Sequence, residues 1–406
     1  MSFMHFLLKI ITCFCLIFSA CLFVDLYAGP DYRIRALRYT NSEGEEGLTT
    51  YIYNHKGIQY KAVWELLDGS RFSINQHQFD DHGHMIYKFR TFSDGLTSEQ
   101  KFYYNDHDQL ESETFDRSDG ISGRAIYHWT GNNLDSATCK GLNGWFYGTI
   151  HYHRNDAYRT ISANLRNMGQ HIGEITYEYN NLGQLQTEQW TFTNGFFQTF
   201  MYEYEYVGCM QYDYSNVFIQ PACRFLLAEE NYDFSGQSGG PSFFNYNDEN
   251  KLIEKRYVRS DSLSTRTTYD YVPNGQLKSS TRHYNDGKTG WFIFMYDTSG
   301  LLIKKEFIRS DGMVGKETMV YDPNGHLINM EYVNVDGWLS GTITFDHDRY
   351  DRLKSGHYKG IDGSEAKLDF RYDQDRNLVA IHWIFSSDHT QTYSFKYQVL
   401  QAFETK

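Results

Sequence analysis

The chain is predicted to be all-β, built from tandem β-hairpin repeats of about 25 residues that form one long antiparallel, coiled sheet, a superhelical ribbon or a cage-like wall. Three observations carry this. A turn motif recurs, as Tyr271-Val-Pro-Asn-Gly-Gln-Leu277, Tyr296-Asp-Thr-Ser-Gly-Leu-Leu302 and Tyr321-Asp-Pro-Asn-Gly-His-Leu327. Aromatic and polar residues alternate before it: Tyr177 and Tyr179 flank Glu178, and Tyr269 and Tyr271 flank Asp270, the period of a half-buried strand. The apolar content leans on 34 Tyr and 29 Phe, which suit pleated surfaces, and five Pro leave the strand ladders uninterrupted.

Taken in order, residues 1–28 resemble a secretory signal. Lys9 precedes an apolar run, Ile10 to Val24, too short to span a bilayer, and Leu26-Tyr27-Ala28 could end at a peptidase site. Phe18-Ser19-Ala20-Cys21 is a poor lipobox, so a lipid anchor at Cys21 is the minor alternative. Residues 29–50 read as a lead-in and 51–406 as the hairpin array. Units start at Tyr53, Phe79, Tyr104, His128, His153, Tyr179, Tyr204, Tyr246, Tyr271, Tyr296, Tyr321, Phe345, Tyr372 and Tyr397. One longer step, Tyr204 to Tyr246, marks an insertion at about 211–235, where Pro221 to Glu230 could form a short helix with Pro in its first turn. Within each unit Asn or Asp and Gly supply the positive φ of a tight turn, and the chain returns through the motif Leu. Some 27 strands at ~4.8 Å would make a flat sheet roughly 130 Å wide, whereas open sheets rarely exceed ~10 strands, so the sheet must coil.

Tyr-Asp-x-x-Gly-x-Leu, with a Tyr two positions earlier, resembles the RHS/YD-repeat family over roughly residues 50–397. That resemblance implies a β-strand shell of the kind found in bacterial wall-associated proteins and polymorphic toxins. A second resemblance, through Asp336-Gly337-Trp338-Leu339-Ser340-Gly341, is to the MORN-variant repeats of bacterial antitoxin-labelled proteins.

The net charge of -13 with no basic cluster argues against nucleic acid as a partner and for solubility. Cys209 and Cys223 bracket the insertion and are candidates for a disulfide in an oxidising compartment, while Cys139 reads as a small buried hydrophobe. His82-Gly-His84 with Asp80 and Asp81, and His151-Tyr-His153, could each offer ligands to a metal. Both pairs sit where turn polar residues are expected, so no metal and no cofactor is assigned. No nucleophile elbow, zincin helix or phosphate loop is present, and no catalytic residue is assigned. Trp145, Trp291 and Trp338, each directly after a turn Gly, could meet a sugar or peptide, with Phe218 and Phe225 of the insertion; their bland reading is cross-strand packing.

The expected function is that of an exported, non-enzymatic repeat scaffold, secreted or held in the cell envelope, that binds a protein or carbohydrate partner. No membrane span is expected in the mature chain. The alternatives are a component of a bacterial toxin or immunity system and a carbohydrate-active enzyme on a β-array.

Overall fold

The computed structural model describes residues 32–142, 146–156, 159–206, 225–235, 237–258, 264–273, 275–335 and 339–399. The regular elements among them are strands, 28 in number, in an antiparallel up-and-down order. They close twice. Strands β1 (Tyr32–Asn41) to β14 (Phe197–Tyr206) form one fourteen-strand barrel, and β15 (Phe225–Phe234) to β28 (Thr390–Val399) form another.

The expectation of one continuous coiled sheet is corrected by this closure. Twist accumulates along an open sheet and each free edge leaves a row of unpaired backbone groups; closing the ring relieves both. The expected helix is corrected too. Residues from Phe225 onward form β15, paired to β28 on one side and to β16 (Gln237–Tyr246) on the other. Two hydrogen-bond ladders override the helix preference of Leu226-Leu227-Ala228-Glu229-Glu230. The lead-in carries β1 and the start of β2 (Glu46–Tyr53), and the tract read as an insertion contains the whole of β15.

The recurring motif has a chemical explanation in every part. The motif Tyr donates its hydroxyl to a carbonyl 19 residues back, as in Tyr204 to Leu185 (2.9 Å), Tyr246 to Leu227 (2.6 Å), Tyr271 to Leu252 (2.8 Å) and Tyr397 to Leu378 (2.7 Å). Each bond ties one hairpin to the hairpin before it, at a net gain of about 1 kcal/mol. The next residue, Asn or Asp, caps the turn: Asn180 Oδ1 accepts from the amides of Leu182 and Gln184, both at 3.0 Å. The Gly then turns the chain with positive φ, +80° at Gly183 and +88° at Gly300. The closing Leu is buried, 0% exposed at Leu185 and Leu277.

The same tie corrects the register of two degenerate units, and a strand end corrects that of a third. Trp129, not His128, donates to Leu110 O (2.8 Å), and Arg154, not His153, donates to Leu134 O (2.6 Å). His347, not Phe345, ends its strand at the motif position, six residues before Leu353. The side chains that replace Tyr in the first two cases are long donors that reach the same kind of carbonyl.

One face of each strand is buried and lines the barrel interior; Trp190, Phe115, Ile150 and Leu165 are buried in the first barrel, and Leu227, Leu252, Ile343 and Leu368 in the second. An open, water-filled lumen would leave such side chains exposed, so each lumen is filled. Eight strands enclose about what side chains can fill in a round barrel, and fourteen enclose more. The walls must therefore approach one another. Tyr332 on β23 (Leu327–Val335) accordingly lies close enough to Tyr393 on β28 for the two to interact electrostatically.

Candidate binding surface and histidine cluster

The outer wall of the second barrel carries exposed apolar side chains on adjacent strands. Along β20 (Thr289–Tyr296), Trp291, Ile293 and Met295 alternate outward with the buried Phe292 and Phe294. Trp291 stands opposite Ile308 on β21 (Leu302–Arg309), and Ile308 stands opposite Val314 on β22 (Val314–Tyr321). All three are exposed, Trp291 at 44%. Ion pairs border the row: Lys304 with Glu306 at 2.6 Å and Lys316 with Glu331 at 3.7 Å. Flat apolar area bordered by charge suits an amphipathic partner, a protein surface or a sugar face.

The other residues singled out from sequence fare differently. Phe225 is buried in β15, so it faces the core. Trp145, Trp338, Phe218, Cys209, Cys223 and Cys21 lie outside the described residues. Cys139 is free and buried, and burial, reinforced by the charge of Glu113, pushes its thiol far up. It is unreactive in that setting.

On the outer wall of the first barrel, Gln78, Ile86, Tyr87, Lys101 and Tyr103 line a shallow, open groove of about 540 Å³ over Phe102. At the rim nearby, the turn between β4 (Phe72–Phe79) and β5 (Met85–Phe92) brings Asp80, His82 and His84 together, each offering a ligand atom within 4.8 Å of the others. Burial, the largest single influence, raises the Asp80 carboxyl, but hydrogen bonds from His84 and from the His82 amide together outweigh it and hold the group below its ordinary range. His151 and His153 are not part of this cluster; His153 Nε2 lies 2.7 Å from the Asn164 amide nitrogen.

Sequence reasoning missed a pair of interior polar sites. Glu113 accepts from the Tyr127 hydroxyl (3.0 Å) and Gln100 Nε2 (2.8 Å); Glu188 accepts from Tyr202 (3.1 Å) and Trp190 Nε1. Both Glu–Tyr pairs are 14 residues apart and buried. That shared spacing was the available signal. Burial first, and the Glu113 charge second, push the Tyr127 hydroxyl far above its ordinary value, so it stays a donor.

No model of a known protein family matches the chain, and no curated protein matches it. Solved structures show weak likenesses. The Photorhabdus luminescens Tc holotoxin pore is 11% identical with a TM-score of 0.21, over 87% of this chain and 19% of that one. The TcdB2-TccC3 structure is 11% identical at 0.20, over 86% and 22%. A porin-like protein from Bacteroides uniformis is 9% identical at 0.22, over 91% and 99%. The chain thus spans about a fifth of the toxin chains it matches.

Proposed function

We propose that this protein is an exported, non-enzymatic scaffold that binds a macromolecular partner, protein or glycan, through the outer wall of its second barrel. The row from Trp291 through Ile308 to Val314 carries the reading, because it sets exposed apolar side chains side by side, with Glu306 and Lys316 at the next outward positions of β21 and β22. Membership of the RHS/YD-repeat family is part of the proposal and rests on the Tyr, Asp or Asn, Gly and Leu of the motif, each with its own bond or packing role. The second reading, a component of a bacterial toxin or immunity system, rests on the same motif.

The test is capture of partners from lysate and from a glycan array by the mature chain, with Trp291→Ala and Ile308→Ser combined. An anchor of this kind contributes roughly 2 kcal/mol or more, so capture should fall at least tenfold. Unchanged capture by the double variant would remove this face from consideration, and a co-captured small toxin would favour the second reading.

A further inference from the structure

We propose that the rim cluster of His82, His84, Asp80 and Asp108 is a binding site for a divalent transition-metal ion of the zinc type. Asp80, His82 and His84 share the β4–β5 turn, with ligand atoms within 4.8 Å of one another. The next turn on that rim joins β6 (Thr97–Tyr104) to β7 (Leu110–Arg117), and there Asp108 places Oδ1 3.9 Å from His82 Nδ1 and 3.9 Å from His84 Nε2. Ligands held at 2.0–2.2 Å from one zinc ion lie about 3–4 Å apart, so a small rotation of the exposed His82 ring closes the set.

The geometry around His84 is that of a ligand already oriented. Its Nδ1 lies 3.1 Å from Asp80 Oδ2, and its ring stacks on Tyr104 with centroids 4.5 Å apart. A carboxylate can only accept, so Nδ1 donates to Asp80 and the ring is held with Nε2 turned toward Asp108. That nitrogen stands 3.9 Å from the Asp108 carboxylate oxygen, at the open end of the cluster. Asp108 has φ +60° at a turn position held by Gly183, Gly300 and Gly325 in some units and by Asn250, Asp351 and Arg376 in others.

The second barrel repeats the carboxylate–imidazole contact at its Asp322–His326 turn, at 2.8 Å, with Asn324 in the place of His82 and His347 beside His326 in the place of Tyr104. Two imidazoles with carboxylates favour zinc, cobalt, nickel or copper over magnesium or calcium.

Zinc chloride titrated into the full chain by calorimetry, with cobalt absorption as a second readout, tests the site. His84→Ala should weaken zinc binding about 100-fold and Asp108→Gly about 10-fold or more, while His326→Ala leaves it unchanged. Asp108→Gly restores the residue the turn prefers, so its melting temperature should hold or rise as zinc affinity falls; a purely structural role for Asp108 predicts neither. Zinc affinities of His84→Ala and Asp108→Gly within twofold of the parent, or no binding tighter than about 100 μM, would mean adventitious binding only and overturn the proposal.

Discussion

Tyr53 and Tyr246 hold equivalent places in the two barrels, 193 residues apart, and so do Tyr204 and Tyr397. The seams that close the rings are equivalent as well. Ser42 N–H donates to Phe197 O at 3.0 Å in the first, and Ser235 N–H donates to Thr390 O at 2.8 Å in the second. Tyr39 packs on Phe200, and Tyr232 packs on Tyr393. The charges across the seams are opposite, however. In the first barrel β1 brings Arg33 and Arg38 to Glu205 and Glu203 of β14; in the second β15 brings Glu229 to Lys396 of β28, at 3.0 Å.

The difference favours two rings over the other closures open to a 28-strand array. Continuing the meander would set the acidic β14 against the acidic β15, and one large ring would set the basic β1 against the basic β28. An exposed ion pair is worth about 0–1 kcal/mol, so no single pair decides. The two wrong pairings together give up the attractions of Arg33 and Arg38 for Glu205 and Glu203 and of Glu229 for Lys396. Charge on the closing strands selects the partner, as it does at other exposed edges.

The largest perturbation of this comparison is in the cores. Trp190 and Trp383 are equivalent, buried at 0% and 8% exposure. Trp190→Ala should cost its barrel about 3–5 kcal/mol, and Trp383→Ala should do the same in the other. Calorimetry should then resolve two transitions, with a different one displaced by each variant. A single transition moved equally by both would show that the barrels unfold as one unit.

Acid should also separate them. His77 is buried in β4, and burial first, then the charges of Lys88 and Arg90, lower its pKa to about 3. Its folded pKa lies below its unfolded one, so the unfolded chain binds more protons between these values. Stability is therefore lost as pH falls from about 6.5 towards 3, by up to an order of 4 kcal/mol. The equivalent residue of the second barrel is the buried Tyr269. His77→Tyr should flatten the acid limb of the first barrel's unfolding; an unaltered limb would assign the proton uptake elsewhere.

Charge reversal at one seam comes next. Glu203→Lys with Glu205→Lys should destabilise the first barrel by about 1–2 kcal/mol, and adding Arg33→Glu and Arg38→Glu should recover most of it. Urea midpoints for the parent, double and quadruple variants measure this, and a lack of recovery would refute a pairing role for the charges.

The smallest effect concerns Phe79, which occupies in the first barrel the position of Tyr271 in the second. Tyr271→Phe should cost about 1 kcal/mol and Phe79→Tyr should gain up to that amount. Equal stabilities throughout would show that the hydroxyl tie contributes nothing net.

Much of this was legible because it is local. Tyr271, Gly275 and Leu277 reveal a hairpin, since each acts within its own unit or on the next. Trp129 and Arg154 were misplaced by one residue because they substitute for Tyr through reach rather than resemblance. The closure at fourteen strands was not legible. It depends on contacts such as Ser42 with Phe197, which no repeat period encodes. In the histidine cluster, Asp80, His82 and His84 stand together in sequence, whereas Asp108 joins them only once β6 and β7 are in register.

Ring closure also sets an order of events during synthesis. Strand β1 is made first, but its seam partner follows some 155 residues later, and bringing such distant ends together costs about 4–5 kcal/mol of chain entropy. Until then β1 presents an open edge, the kind of edge on which nascent chains aggregate. Arg33, Arg35 and Arg38 lie along that edge. The cations that later meet Glu203 and Glu205 can first serve as gatekeepers for a half-made protein.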